Sequence, residues 1–318
     1  MSILVLVGPT GTGKSELAID LATALDGEVV SCDAIQVYRG LDAATAKPEA
    51  KDRRRVPHWM IDVADPATDF SVADYVRGAD AAIAAIAARR RVPIVTGGTG
   101  MYLRGLLKGL VPAPARDVAL RERLRGLTAR YGAPRVWRLL RRLDPASAAR
   151  VGATDTQRIV RALELVYAGG ARWSDRLAQD GAWGRSAERY RALKFGLAME
   201  NSLLAARLGE RVGRFFSAGL VEEVRGLLGA GLPPTANALK AIGYREVVAA
   251  IRGGTDPADT RAAIELATRR YAKRQRTWFR SEEGVSWLDA AQDRPSLAAT
   301  IAAAWKRFAP DGVPGKTC

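Results

Sequence analysis

The chain has 318 residues, which allows a large core and two domains, and 48% of them are apolar, as in ordinary globular proteins. Its 49 basic residues outnumber 34 acidic ones, and the net charge of +15 favours a polyanionic partner, RNA or DNA in preference to an anionic membrane. Two cysteines and one histidine exclude a disulfide framework and a histidine-based metal cluster. No long apolar run and no basic-then-apolar leader occurs, so we expect a cytoplasmic protein without a membrane segment.

Short apolar runs alternate with helical patterns along the first third of the chain. The runs at 2–8, 27–33 and 92–98 are rich in Val and Ile and predict buried parallel strands. The segments 15–25 and 71–90 have the apolar spacing of helices. Strands that alternate with helices predict an α/β fold class, with a doubly wound parallel sheet flanked by helices.

The composition changes after residue 111, where "VPAPARD" forms a proline-rich junction. The following segment is arginine-rich and mostly helical, apart from a loop-like stretch at 168–184, and predicts a helical insertion domain at 114–197. The core domain then comprises 1–113 and 198–318, which the chain re-enters through a strand near "KFGLAM". The elements predicted after it are helices at 203–219, 221–231 and 259–280, a strand at "VSWLD" and a frayed tail from residue 309.

The motif "GPTGTGKS" lies between the first predicted strand and the first predicted helix. It fits the phosphate-binding pattern G-x-x-x-x-G-K-[ST], so the predicted core is P-loop NTPase-like. Backbone N–H groups and the Lys14 ammonium would bind phosphate oxygens, and the Ser15 hydroxyl would ligate Mg²⁺. The motif leaves open whether the phosphate belongs to hydrolysed ATP, a kinase substrate or a leaving group. Its residues are Gly8, Pro9, Thr10, Gly11, Thr12, Gly13, Lys14 and Ser15.

The third predicted strand ends in "VTGGTG", without the acidic residue that hydrolytic P-loop proteins use to hold Mg²⁺. Asp33 instead ends the second strand. Because ligands of open α/β sheets bind at the carboxyl ends of strands, we expect Asp33 and Thr99 beside the phosphate motif. A turn or helix cap is the alternative for Asp33. This arrangement favours group transfer over a motor, and spacing alone identifies only a P-loop transferase.

Six blocks stand in the order typical of the tRNA dimethylallyltransferases, also called tRNA isopentenyltransferases: "GPTGTGKS", "SCDAIQVYRGLDAATAKP", "VPHWMIDV", "FSVADY", "GGTGMYLRGLL" and "YAKRQRTWFR". The chain resembles this bacterial-type family from residue 3 to about 290. The resemblance implies transfer of a dimethylallyl group from its pyrophosphate to N6 of the adenosine at position 37, next to the tRNA anticodon. Pyrophosphate would then be the leaving group, with Mg²⁺ as cofactor and the anticodon stem-loop as partner.

The resemblance also implies roles for single residues. Asp33, Arg211 and Thr99 form the implied catalytic set: a general base, a pyrophosphate-binding arginine and a threonine at the target nucleotide. Arg207, four residues before Arg211 on one helix face, is the second pyrophosphate candidate, and a solvated basic surface is the alternative for both. The positions that match tRNA contacts are Asp33, Ala34, Ile35, Gln36, Thr99, Arg121, Gln157, Arg158, Ile159, Val160, Arg161, Lys240, Tyr244 and Arg245.

Some of these residues also have a structural explanation. Thr154 and Gln157 fit a helix capping box. The block 269–280 has six basic residues and no acid, but its Trp278 and Phe279 are typical of a core. The single histidine, His58, is expected to be packed and receives no role.

The chain departs from the family at three positions: Ala34 where serine is common, Ala44 where glycine is common and Trp59 where a second histidine is common. These affect the pocket wall and not the reaction. Three other functions stay open: prenyl transfer to free AMP or ADP, a small-molecule P-loop kinase and a non-catalytic RNA-binding protein. The arginine-rich insertion argues against the first, and Asp33 with the intact phosphate motif against the last. We expect a monomer.

Overall fold

The computed structural model describes residues 1–114, 117–179 and 187–309. They form two compact units: the first contains residues 1–107 and the described residues from 188 onward, and the second contains the described part of 108–187. Both boundaries differ from the predicted 113/114 and 197/198. The first moves because the core packing of the preceding helix ends at Leu107. The second moves because the strand near "KFGLAM" begins at Arg191, which already pairs with Ser2. The predicted frayed tail, beyond residue 309, lies outside the described residues.

A six-stranded sheet forms the centre of the first unit, and every strand pair in it is parallel. The strand order is β3-β2-β4-β1-β5-β6. The predicted parallel sheet is therefore confirmed, with a two-residue strand, β3, that no apolar run had marked. The strands are β1 Ser2–Val7, β2 Gly27–Ser31, β3 His58–Trp59, β4 Val92–Gly97, β5 Arg191–Ala198 and β6 Val285–Asp289.

Helices surround the sheet and build the second unit. In the first unit and at its boundary they are α1 Lys14–Ala24, α2 Ala50–Arg55, α3 Val72–Ala88, α4 Gly100–Lys108, α10 Asn201–Ser217, α11 Leu220–Gly229, α12 Tyr244–Gly253, α13 Arg261–Arg280 and α14 Arg294–Phe308. In the second unit they are α5 Val118–Tyr131, α6 Ala133–Leu143, α7 Pro145–Arg150, α8 Thr156–Gly169 and α9 Trp173–Gln179.

Several parts of the helix prediction change. Helix α9 lies inside the stretch predicted as a loop, and α2, α4, α12 and α14 were not predicted. The helix predicted from 259 starts at Arg261, because Pro257–Thr260 forms a 3₁₀ turn first. Within the described ranges, no helix combines the length and the apolarity needed to cross a bilayer.

Alternate residues of β1 pack on opposite faces of the sheet, as the pleat of a strand requires. Leu4 and Leu6 belong to a core with residues of α1, α10 and α14. Ile3 and Val5 belong to a second core with residues of α3 and α4. Because helices cover both faces, the central strand is apolar throughout, and the carboxyl ends of the strands provide the edge at which polar loops meet.

Candidate active site

The carboxyl ends of β1, β2 and β4 border a cavity of about 650 Å³ in the first unit. The loops after these strands bring Thr10, Asp33 and Thr99 to its wall, and helices α10 and α13 bring Arg211 and Tyr271. Asp33 and Thr99 thus lie beside the phosphate loop at the edge of the sheet that the strand pattern had indicated. Their chemical roles stay predictions.

The phosphate loop is held in shape by its own contacts. Lys14 Nζ donates to the Pro9 carbonyl over 2.6 Å, and Thr12 Oγ1 donates to the same oxygen over 2.9 Å. Gly8 has a φ of 143°, and a Cβ there would lie 2.6 Å from the Leu197 carbonyl oxygen, so the position requires glycine. Gly8, Pro9 and Thr12 therefore support the loop without lining the cavity, and their part in pyrophosphate binding stays a prediction. The loop residues on the cavity wall are Thr10, Gly11, Gly13, Lys14 and Ser15.

Two cations lie close together at this end of the cavity. Burial, and then the neighbouring Arg211 guanidinium, lower the pKa of Lys14 to about 7, and Asp33 and Glu16 oppose the shift. Burial likewise lowers the pKa of Arg211, which the charge of Asp33 partly opposes. An anionic ligand would remove the unfavourable effect of these poorly solvated cations, so this end of the cavity suits a phosphate or a pyrophosphate.

Asp33 has both of the properties that the sequence had offered as alternatives. Its Oδ1 accepts hydrogen bonds from the backbone N–H groups of Ile35, over 2.8 Å, and Gln36, over 3.2 Å, so it caps the turn after β2. The residue also lines the cavity. Both capping bonds fall on Oδ1, and no hydrogen bond from the described residues reaches Oδ2. One carboxylate oxygen can therefore hold the turn while the other meets a ligand.

Thr99 joins the ends of β4 and β2. Its Oγ1 accepts a hydrogen bond from the Ala34 N–H over 3.0 Å, and its own N–H donates to the Cys32 carbonyl over 3.1 Å. Tyr271 of α13 lines the cavity together with Thr99, and burial followed by the charge of Asp33 raises the pKa of the Tyr271 phenol. Tyr271 received no role from its sequence position, although it stands in the family block "YAKRQRTWFR", which is the signal that could have identified it.

Arg207 and Arg211 both line the cavity from α10, so they do not form a merely solvated surface. Arg211 is half-buried and its guanidinium lies 5.4 Å from the centre of the Phe215 ring, whereas Arg207 is exposed. The geometry agrees with the prediction that Arg211 is the better placed of the two for a phosphate. His58, which received no role, also lines the cavity, and its Nδ1 lies 2.7 Å from the Val56 carbonyl oxygen.

The tRNA-contact positions of the first unit divide into two groups. Ala34, Ile35, Gln36, Lys240 and Arg245 line the cavity. Tyr244 does not: its side chain is 0% exposed and its hydroxyl donates to Glu223 over 2.5 Å. The Tyr244 side chain belongs to the core around α11 and α12, and an RNA contact at this position stays a prediction.

Gln36 uses its amide within the protein. Its Oε1 accepts a hydrogen bond from Ser31 Oγ, and its Nε2 donates to the carbonyls of Thr45 and Ala46. Trp59, one of the departures from the family pattern, donates from Nε1 to Glu28 over 2.7 Å. The Gln36 amide therefore stabilises the cavity wall, and the Trp59 indole stabilises β2 through Glu28.

In the second unit, α8 carries most of the remaining predicted contacts. Ile159 and Val160 are 0% and 4% exposed and their side chains form part of the core of that unit, so RNA contacts at these positions stay predictions. Gln157 is exposed, and Arg158 is exposed and paired with Asp155 over 2.8 Å. The matched block covers both the buried and the exposed face of α8, and the sequence alone could not tell the two faces apart.

Two arginines of the second unit share one buried carboxylate. Arg121 Nη2 lies 2.6 Å from Glu164 Oε2, and Arg161 Nη1 lies 3.2 Å from Glu164 Oε1.

The capping box predicted for Thr154 and Gln157 at the start of α8 is wrong. Asp155 is the N-cap of this helix, and its carboxylate accepts a hydrogen bond from the Arg158 N–H.

Comparison with known proteins reveals close relatives over nearly the whole chain. Residues 36–282 match the sequence model of the IPP transferases, and residues 1–62 match that of isopentenyl transferases. The tRNA dimethylallyltransferase of Anaeromyxobacter sp. (strain Fw109-5) is 45% identical over 302 residues, which make up 94% of this chain and 98% of that protein. The tRNA dimethylallyltransferase of Geobacter metallireducens is 43% identical over 94% of this chain and 96% of its own.

A solved structure of a protein with a related name is also similar to this chain. The full-length tRNA isopentenylpyrophosphate transferase of Bacillus halodurans is 32% identical and superposes with a TM-score of 0.71, covering 98% of this chain and 97% of that one. The all-parallel sheet and the phosphate loop after β1 define the class, a P-loop-type α/β protein. Within this class the chain belongs to the tRNA dimethylallyltransferase family, a family of enzymes also known as IPP transferases.

Proposed function

We propose that this enzyme transfers the dimethylallyl group of dimethylallyl pyrophosphate to N6 of adenosine 37 of tRNAs and releases pyrophosphate. The main support is one observation: a single cavity combines a phosphate loop, two poorly solvated cations and a carboxylate, in a chain of this family. Since tRNA is the proposed acceptor, the proposal also places the enzyme in the cytoplasm. Its expected monomeric state stays a prediction.

The reaction replaces a C–O bond by a C–N bond. The exocyclic adenine amine is a weak nucleophile, so the allylic C–O bond must loosen first, leaving positive charge on carbon and negative charge on pyrophosphate. Lys14, Arg211 and the loop amides stabilise the negative charge. The N6 nitrogen then bonds to the allylic carbon, and its proton passes to Asp33. Asp33 Oδ2 accepts no hydrogen bond from the described part of the chain, which supports this assignment.

Mg²⁺ is proposed as the cofactor, held by the Ser15 hydroxyl together with pyrophosphate oxygens and water. The donor set fits this ion, since Mg²⁺ keeps several waters and binds through few protein oxygens plus substrate phosphates. Ser15 is exposed and lines the cavity, and among the described residues no group of three or more His, Cys, Asp or Glu side chains offers a competing metal site. The ion would neutralise charge on the leaving pyrophosphate.

The acceptor base lies in a folded RNA loop, so it must leave its stack to reach Asp33. Within the first unit, the proposed RNA contacts are Ala34, Thr99, Lys240 and Arg245, which lie on the cavity wall. Within the second unit, the exposed Gln157 and Arg158 and the half-exposed Arg161 are proposed to bind the RNA backbone.

One assay separates this proposal from its rivals. Radiolabelled dimethylallyl pyrophosphate is incubated with unmodified tRNA, with AMP, or with ADP, and ATP is offered with nucleosides in a parallel reaction. We expect label in tRNA only, at N6 of adenosine 37. Label in AMP or ADP would favour the free-nucleotide prenyltransferase, phosphoryl transfer would favour the kinase, and RNA binding without any transfer would favour the non-catalytic protein.

A further inference from the structure

Gln275 of α13 joins two loops of the cavity that are far apart in sequence. Its side chain is 5% exposed and lies on the cavity wall. Its Oε1 accepts a hydrogen bond from the Thr10 N–H over 2.9 Å, and its Nε2 donates to the Gly98 carbonyl over 2.9 Å. The amide therefore spans from the phosphate loop after β1 to the loop after β4.

Two glycines of the β4 loop leave the space that α13 occupies. A Cβ at Gly98 would lie 2.0 Å from Gln275 Nε2, and a Cβ at Gly100 would lie 2.1 Å from the Trp278 indole ring. Gln275 and Trp278 are three residues apart and hence on one face of α13. Thr99 stands between the two glycines, so the same helix face holds the backbone that orients the Thr99 hydroxyl toward the Ala34 N–H.

The hydrogen bond to Thr10 also determines which backbone amides of the phosphate loop remain available to a ligand. The Thr10 N–H is used by Gln275, which leaves the later amides of the loop and the Lys14 ammonium to bind a phosphate. The position of the loop relative to Thr99 then depends on a side chain that need not touch either substrate. Misplacement of a substrate by about 1 Å can cost on the order of 10²-fold in rate, so a link of this kind acts on catalysis.

We propose that Gln275 is a positioning residue of the transfer reaction: it sets the distance between the phosphate loop and the Thr99 loop, and thereby between the leaving pyrophosphate and the acceptor base. This inference rests on the proposed function. It assigns no proton transfer and no direct substrate contact to Gln275.

Two substitutions separate this role from simple packing. Gln275→Met keeps the length and removes both hydrogen bonds, whereas Gln275→Asn keeps the polar groups but is too short to reach both loops. We expect each to lower the single-turnover rate at saturating substrates by about 10²-fold and to leave tRNA affinity unchanged. Phe279→Leu, on the same helix and 1% exposed, is the matched control, and should lower stability while the folded enzyme keeps its rate.

The outcomes are distinct. A wild-type rate in Gln275→Met would mean that packing is sufficient and would overturn the inference, as would a wild-type rate in Gln275→Asn. Titration with inorganic pyrophosphate gives a readout that needs no transfer, and Gln275→Met should bind it more weakly than wild type. If the wild-type enzyme modified no tRNA, the proposed function would fail, and this titration would still decide whether Gln275 orders the phosphate loop.

Gly98→Ala tests the same link from its other end. Its Cβ would displace the Gln275 amide, so we expect a similar loss of rate, and the double variant with Gln275→Met should be no slower than either single variant. If Gln275→Met failed to fold, Gly98→Ala would carry the test. Additive losses in the double variant would show that the two residues act separately and would contradict the inference.

Discussion

The second unit and the cavity of the first unit each combine cations with a carboxylate, but the charges meet in only one of them. In the second unit, Arg121 and Arg161 lie within 2.6 and 3.2 Å of Glu164, whose side chain is 1% exposed. In the cavity, no ion pair between described residues joins Lys14 or Arg211 to Asp33, and these groups affect one another at longer range.

The difference indicates what each cluster is for. A buried carboxylate that is hydrogen-bonded to one guanidinium group and lies within ion-pair distance of a second mainly stabilises its own surroundings. Cations that are buried without a direct carboxylate partner are stabilised when an anion binds. Arginine content alone therefore says little about RNA binding, because Arg121 serves the core of its unit and was matched to a tRNA contact nonetheless.

The strongest test of the charged groups in the cavity, Lys14, Arg211 and Asp33, is the substitution Asp33→Asn. The amide keeps an oxygen that accepts the Ile35 and Gln36 N–H groups, but it cannot take a proton from N6. We expect a single-turnover rate on the order of 10²–10⁴-fold lower, with a smaller effect on tRNA affinity, because most of that affinity comes from backbone contacts. Rapid-quench assays with labelled dimethylallyl pyrophosphate measure it.

Asp293→Asn is the matched control, since Asp293 also caps a turn with its side chain, at the start of α14. It should leave the rate unchanged. If Asp33→Asn were as active as Asp293→Asn, Asp33 would be a turn residue only, and catalysis would depend on stabilising the leaving group.

The charge cluster of the second unit is tested by Glu164→Gln, which leaves Arg121 and Arg161 without their carboxylate. We expect the free energy of unfolding to fall by about 1–3 kcal/mol, less than for a wholly buried pair because both arginines are partly exposed. Urea denaturation measures it. Binding of inorganic pyrophosphate should stay as in wild type, and a variant that is fully stable but binds pyrophosphate weakly would reverse the comparison.

The pH dependence of ligand binding sharpens the comparison further. The folded, unliganded enzyme holds the pKa of Lys14 at about 7, against 10.5 for an ordinary lysine. Pyrophosphate favours the charged form, so its affinity should be greatest below about pH 7 and fall above it by up to about tenfold per pH unit. Stability of the unliganded enzyme should move the other way and rise between about pH 7 and 10.5, because there the unfolded chain binds the extra proton.

Calorimetric titrations with pyrophosphate from roughly pH 6 to 9 measure how affinity depends on pH, and thermal unfolding over the same range measures how stability does. Lys14→Arg keeps its charge throughout and is the control, so any slope that persists in it belongs to the titration of pyrophosphate itself. Identical slopes in the two proteins would show that Lys14 is charged at every pH examined.

The smallest expected effect concerns Arg158, which is paired with Asp155 but 71% exposed. Each phosphate that a basic residue neutralises contributes roughly −0.7 to −0.9 to the log–log salt slope of RNA binding. Arg158→Gln should reduce the slope by about that amount without changing pyrophosphate affinity. Arg123→Gln, an exposed arginine of α5 with no assigned role, is the control. Equal slopes in both variants would remove Arg158 from the RNA contacts.

Local patterns were sufficient for the scaffold of this protein. Strands β1, β2 and β4 follow from apolar runs, because a strand covered on both faces must be apolar throughout. The phosphate loop follows from its glycines and Lys14, since the conformation and the charge reside in those residues. The positions of Asp33 and Thr99 follow from topology, because the carboxyl ends of parallel strands share one edge.

Only the tertiary structure decided which side of an element each residue faces and what it meets there. A matched block cannot distinguish the buried Ile159 and Tyr244 from their exposed neighbours, since burial depends on packing against distant helices. The same holds for Arg121, whose partner Glu164 is 43 residues away, and for Gln275, which contacts Thr10 across 265 residues. The sequence determined which charged and polar groups this protein carries. Long-range packing determined which of those groups remain available to a ligand, because a charge or an amide can stabilise the fold or bind a substrate according to the partner beside it.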